Sequence, residues 1–137
     1  MEHTATIVTG AGSGIGRATA IAFARRGHAL TLAGRTASKL SETAAACTAE
    51  GAPEPILVPG DLADSGIAHA VVDRTIAARG RLDVLVNCAG SAPLAPIDRS
   101  DEDIIEEAFL HNAFAPAFLI VRAWPHFTSR RTGCVST

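Results

Sequence analysis

One stretch of the chain, Thr9-Gly10-Ala11-Gly12-Ser13-Gly14-Ile15-Gly16, has a composition suited to holding an anion against the backbone. Glycine reaches positive φ without a Cβ clash and lets a bulky group approach the main chain. An apolar run, Thr6-Ile7-Val8, precedes it and a helical pattern follows to Arg26, so the stretch reads as strand, glycine turn, helix. A helix beginning there aims free N–H groups and the positive end of its dipole over the turn. Such a turn is a seat for a pyrophosphate. The spacing Gly10-x3-Gly14-x-Gly16 departs from the common dinucleotide fingerprint, because Ile15 stands five residues after Gly10.

Four further features carry chemical character: Gly34-Arg35, Asp61-Leu62, Asn87-Cys88-Ala89-Gly90 and Asn112. Dinucleotide folds that prefer NAD place an acidic residue after the second strand, where it accepts from the ribose 2′-OH and repels a 2′-phosphate. Here Arg35 takes that place. Its flat, permanently charged donor fork favours a phosphate, hence NADP(H) over NAD(H).

The elements that must position these residues alternate along the chain. In the first helix Ile15, Ala18, Thr19 and Ala22 recur at helical spacing, and small size lets that face lie close on a sheet. A second strand spans residues 29–33, a helix about 38–50, a third strand 56–58, a helix 65–78 carrying Ile67, Val71 and Ile76, and a fourth strand 82–86. After a loop with Pro93 and Pro96, Ser100-Asp101-Glu102-Asp103 makes a helix start, with acidic residues in the first turn. The long helix that follows is striped by Ile104, Ile105, Ala108, Phe109, Ala117, Phe118 and Val121, and Gly133-Cys134-Val135 opens a fifth strand. Strands alternating with helices imply right-handed crossovers and a doubly wound parallel sheet, an α/β Rossmann fold. Its ligands bind beyond the carboxyl ends of the strands, where all of these loops fall.

Composition narrows the function classes. The 137 residues have the length of one domain, carry a formal charge of −2 and offer no basic stripe, the pairs Arg25-Arg26 and Arg130-Arg131 aside, so nucleic acid is not an expected partner. Cys47, Cys88 and Cys134 are far apart, in no metal-ligand spacing, and the histidines are dispersed, so no metal site is expected. Free thiols fit a reducing cytosol. No apolar run approaches bilayer length and Met1-Glu2-His3 starts no signal peptide, so the expectation is a soluble, cytoplasmic chain with no membrane partner.

The glycine turn, Arg35, Asp61-Leu62, Asn87-x-Ala89-Gly90 and Asn112, in this order, resemble the short-chain dehydrogenase/reductase family from Thr4 to the last residue. The resemblance implies that Gly10, Gly14 and Gly16 form the turn under a cofactor pyrophosphate, with Ser13 and Ile15 donating or packing from the same loop; Ile15 is expected to pack in the core as well. Asp61 would take the adenine amino group and Leu62 supply a backbone contact to the ring. Asn87, Ala89 and Gly90 would pin the fourth strand and touch the nicotinamide ribose, with Cys88 where the family has a second Asn. Asn112 is similar to the tetrad asparagine whose backbone carbonyl holds a water in the proton relay. Pro116, four residues on, has no N–H to give that carbonyl. His111 is expected to point away from the site that Asn112 serves, since neighbours on a helix diverge by about 100°.

The family's acid/base machinery is a Ser at the end of the fifth strand and a Tyr-x3-Lys pair. This chain has no Tyr, and its single Lys is Lys39 in the second helix. Ser136 lies just short of where the family's Ser would fall. Residues 1–137 therefore resemble one cofactor-binding domain, the amino-terminal half of an oxidoreductase acting on an alcohol or carbonyl substrate, inactive alone, with oligomers built partly on its long helix. Two other readings stay open: a dinucleotide-binding module without catalysis, and an S-adenosylmethionine-dependent methyltransferase, since Gly12-Ser13-Gly14-Ile15-Gly16 reads Gly-x-Gly-x-Gly. Arg35 counts against the second, which needs an acid for the ribose hydroxyls.

Overall fold

Five short apolar segments become strands: Ala5–Thr9 (β1), Ala29–Gly34 (β2), Ile56–Pro59 (β3), Val84–Val86 (β4) and Cys134–Ser136 (β5). They lie parallel in the order β3-β2-β1-β4-β5 in the computed structural model, which describes residues 3–90, 95–128 and 134–136. Gly133, Pro93 and the Arg130-Arg131 pair lie outside the described residues. The helices are Gly14–Arg25 (α1), Ala37–Ala49 (α2), Ser65–Arg79 (α3), Glu102–Phe109 (α4) and Ala115–Thr128 (α5); a π turn over Leu110–Phe114 joins the last two.

Successive side chains on a strand point to opposite faces, and here both faces are covered, which is why the strands are apolar throughout. On one face Ile7, Ala33, Val58 and Leu85 meet Val71 and Val72 of α3 and Leu119, Ala123 and Phe127 of α5. On the other, Val8, Leu30, Leu32 and Val86 meet Ala20 and Ala24 of α1 and Leu40 and Cys47 of α2. Chain direction around the sheet reverses between β1 and β4, so a crevice opens at their carboxyl ends.

The fourth strand starts later than its apolar pattern suggests. Asp83 is buried, takes the Ala5 N–H on its side chain at 2.9 Å and is clamped by Arg81 through Nε and Nη2 at 2.6 and 2.8 Å. A side chain thus stands in for part of the ladder below Val84.

Two helix faces differ from expectation. In α1 the buried residues are Gly16, Ala20 and Ala24, whereas Ile15, Ala18 and Ala22 are exposed. Ile15 is 79% exposed and packs in no core. The smallest residues at i, i+4, i+8 win because α1 approaches the sheet backbone more closely than an isoleucine permits. In the long helix the buried ridge is Ala115, Leu119, Ala123 and Phe127, while Ile105, Phe109 and Val121 of the expected stripe face outward. Both sides of this helix are apolar, so periodicity alone does not choose between them. Its start is Asp101, whose carboxylate accepts from the Ile104 N–H at 3.0 Å; Ser100 instead donates to the Pro96 carbonyl.

The helical run Glu102–Phe127, 26 residues with a mean hydropathy of 1.4 in its most apolar stretch, is long and apolar enough to cross a membrane by length and composition. The sequence reading found no such run because His111, Asn112 and Arg122 interrupt it. Here the run lays its Leu119 ridge on the sheet.

The ridge assignment is testable by paired substitutions. Leu119→Ala removes a fully buried side chain and is expected to cost about 2–5 kcal/mol in chemical denaturation, whereas Val121→Ala is expected to stay within about 0.5 kcal/mol.

Candidate functional site

The site begins at the last residue of β1. Thr9 Oγ1 accepts the backbone N–H groups of Cys88 and Ala89, both at 3.1 Å, so one hydroxyl ties the loop after β4 to the loop after β1. Gly10 follows with φ +60°, and a Cβ there would lie 2.8 Å from the Cys88 carbonyl oxygen. Gly16 sits against the Gly10 carbonyl, whose carbon would be 2.6 Å from any Cβ on residue 16. Glycine is therefore required at both positions by backbone-to-backbone contact. The turn is held on its other side by the Ala11 N–H donating to Ala33 O at 3.1 Å and by Thr43 Oγ1 donating to Ala11 O at 2.8 Å.

Gly14 is different. Its φ is +54°, yet a Cβ there would meet nothing within 4 Å, so it borders open space at the mouth of α1. Ser13, at the N-cap position of α1, makes no side-chain capping bond and the first turn carries no acid, whereas α3 and α4 are capped by Asp64 and Asp101. The positive end of α1 thus faces the cleft without an anion of the chain's own.

The cleft measures about 560 Å³ and brings together Gly10, Ser13, Gly14, Ile15, Gly16, Arg35, Asp61, Leu62, Ala89 and Gly90. These residues come from the four loops after β1, β2, β3 and β4. Two of the residues singled out in the sequence do not line it. The Asn87 side chain is buried beneath, its Nδ2 and Oδ1 meeting no hydrogen-bond partner among the described residues, and its backbone N–H donates to Ser136 O at 2.8 Å. The pinning of β4 is done by Thr9 and the Cys88 and Ala89 amides, not by the Asn87 side chain. Asn112 donates from Nδ2 to Ala108 O at 2.9 Å and sets its Oδ1 against Gly90, where a Cβ would be 2.6 Å away. No side chain larger than hydrogen fits at residue 90 while Asn112 holds that place.

Lys39 and His111 line the cleft although their sequence positions do not place them there. Lys39 stands in the first turn of α2, next to Gly12, and with Arg35 places two cations at the β2 end of the cleft. Its position four residues after Arg35 was the available signal. Cys88, expected at the strand end, also lines the cleft. His111, expected to point away, faces it: Nε2 lies 3.1 Å from Asp61 Oδ1. The two neighbours do diverge, but it is His111 and not Asn112 that lines the cleft, from a π turn in which the Ala115 N–H reaches back to Leu110 O. Proline at 116 has no N–H and its ring presses on the carbonyl four residues before it, and a wide turn relieves that clash.

Asp61 has its carboxyl held below the usual carboxylate range, first by the Ala63 N–H at 3.0 Å, then by His111 and Arg35, against an opposing effect of partial burial. It is an acceptor at neutral pH. Among the described residues no three His, Cys, Asp or Glu side chains gather to hold a metal ion.

The chain is similar to proteins of one family. The family model for short chain dehydrogenase matches residues 4–136. The bovine protein named dehydrogenase/reductase SDR family member 7B is 32% identical over 98% of this chain and 43% of its own length. The 1,6-dihydroxycyclohexa-2,4-diene-1-carboxylate dehydrogenase of Acinetobacter baylyi is 40% identical over 89% of this chain and 46% of its own. A candidate short-chain alcohol dehydrogenase of Sinorhizobium meliloti, solved by crystallography, superposes with a TM-score of 0.89 at 27% identity, covering 98% of this chain and 53% of that one. The chain spans about half the length of the relatives it matches.

Thr9→Val keeps the volume and deletes the hydroxyl, leaving two loop amides without their acceptor. Leaving a buried donor unsatisfied costs about 1–3 kcal/mol, so the variant should lose about that much or more in denaturant titration.

Proposed function

Because the chain belongs to the short-chain dehydrogenase/reductase family, we propose that residues 1–137 form an NADP(H)-binding unit of an oxidoreductase exchanging a hydride with an alcohol or carbonyl substrate. The observation that carries the cofactor choice is the pair Arg35 and Lys39 in the cleft after β2, where NAD-preferring folds carry an acidic residue. Bound there, NADP(H) supplies the hydride. The chain's own residues do the holding. The open cradle at Gly14 and the uncapped mouth of α1 suit the pyrophosphate, and Arg35 and Lys39 suit a 2′-phosphate. Asp61 accepts from the adenine amino group while Leu62 walls the ring. Ala89 and Gly90 leave a ribose room beside Asn112. The residues present fit the cofactor.

An S-adenosylmethionine site is disfavoured by the same two cations, which stand where the ribose hydroxyls would need a carboxylate. The exposed flank of the long helix, with Phe109, Phe114, Val121 and Trp124, is where a second copy would pack. The cytoplasmic placement rests on free Cys47, Cys88 and Cys134.

The test is a fluorescence titration of the chain with NADPH, NADH and S-adenosylmethionine. A charge-assisted hydrogen bond contributes about 1.5–3 kcal/mol, so NADPH should bind about tenfold or more tightly than NADH, and Arg35→Asp should reverse the order. Equal affinity for the two nicotinamide cofactors removes the argument.

Proton delivery to a developing alkoxide by a positioned acid contributes about 10²- to 10⁴-fold. With no Tyr in the sequence and Lys39 at the adenosine end, the 137 residues are expected to bind cofactor without useful turnover. NADPH absorbance followed with a panel of aldehydes and ketones checks this; robust turnover by the 137 residues alone contradicts it.

A further inference from the structure

We infer that His111 is a positioning residue for the adenine end of the cleft, gripping the Asp61 carboxylate as an imidazolium, so that dinucleotide binding there is tied to one proton. The inference rests on the dinucleotide reading above. Nδ1 of His111 lies 2.9 Å from the Glu107 carbonyl oxygen, and Nε2 lies 3.1 and 3.3 Å from the two carboxylate oxygens of Asp61. A carbonyl and a carboxylate can only accept. A neutral imidazole has one N–H, so between two acceptors it satisfies one and turns a lone pair on the other. Only the doubly protonated ring donates to both.

Asp61 is the single anion among the lining residues, with the His111 side chain 11% exposed and that of Asp61 51% exposed. The charged or titratable groups sharing the cleft are Arg35 and Lys39 from the β2–α2 side, Asp61 after β3 and Cys88 after β4; the glycine loop contributes none. The Ala63 N–H donates to Asp61 Oδ1, and His111 Nε2 lies within reach of both carboxylate oxygens. A carboxylate has about four lone-pair sites, so an adenine amine is accepted beside these donors and not in place of them. Loss of the His111 proton frees one side of the carboxylate, and the plane in which the amine must arrive is no longer fixed.

The experiment is a binding titration with NADH, chosen because it lacks a 2′-phosphate that would itself titrate, between pH 5.5 and 8, where imidazole exchanges its proton. The dissociation constant should rise about fivefold or more with pH, the scale of one charge-assisted hydrogen bond. His111→Ala should flatten the profile. Asp61→Asn, which keeps the shape of residue 61, should flatten it too and serves if His111→Ala does not fold. The hypoxanthine analogue of NADH, which has no adenine amine, should show little pH response. Nitrogen-15 shifts of the His111 ring should report an imidazolium at pH 6. A flat profile in the unaltered chain, an equal slope in His111→Ala, an equal response with the hypoxanthine analogue, or a neutral ring at pH 6 overturns the inference and leaves the dinucleotide reading standing. Absence of binding by both NADH and NADPH at every pH overturns both.

Discussion

Backbone touches backbone where β1 and β4 end, and the rest of the molecule is arranged around that contact. Gly10 lies against the Cys88 carbonyl, Gly16 lies against Gly10, and Thr9 Oγ1 holds the Cys88 and Ala89 amides. A single methyl group at residue 10 or 16 would separate these segments, and with them α1 and the loop after β4. The small residues Ala20 and Ala24 follow from the same constraint, because a helix whose first turn sits this close to the sheet has no room for longer side chains along that face.

The close approach also sets the electrostatics. It aims the α1 terminus between the loops after β1 and β4, while Ala11, tied to Ala33 and Thr43, turns the glycine loop toward Arg35 and Lys39. The two cations and the Asp61 carboxylate therefore share the cleft, with Arg35 near enough to help hold that carboxyl below its usual range. Two capping aspartates elsewhere, Asp64 and Asp101, show what the chain does with a helix terminus that has no ligand to meet: it supplies a carboxylate of its own.

The strands and the loops after them were legible in the sequence because both sheet faces are buried, which makes each strand a short unbroken apolar block ended by a glycine or polar turn. The glycine turn was legible because close backbone approach admits few residue types. Helix faces were not. In α1 the buried Gly16-Ala20-Ala24 ridge competes with Ile15 and Ala18, and hydrophobicity ranks isoleucine above glycine while steric fit ranks it below. In α5 Leu119 and Val121 are equally apolar, and only the placement of α3 and the sheet decides between them. The roles of Asp83 and Thr9 as side-chain anchors for the main chain depend on partners more than 70 positions away in the chain, which no local pattern reveals. His111 was misplaced because Asn112 was expected to be the neighbour that faces the cleft.

That wide turn has a consequence for how the protein can change over time. A π turn holds one residue more than an α turn, so it absorbs an extra residue between two helical segments. Upstream of it the phase is set by Asp101 and its cap; downstream it is set by Leu119, Ala123 and Phe127 on the sheet. His111 and Asn112 sit in the wide turn itself, one meeting Asp61 and the other Gly90. Deleting one residue from Leu110–Phe114 would restore a regular helix with the flanking segments in about the same phase. The core ridge would keep its partners, while the residues that the wide turn presents to Asp61 and Gly90 would be redirected. The extra residue in this segment therefore serves the cleft and not the core.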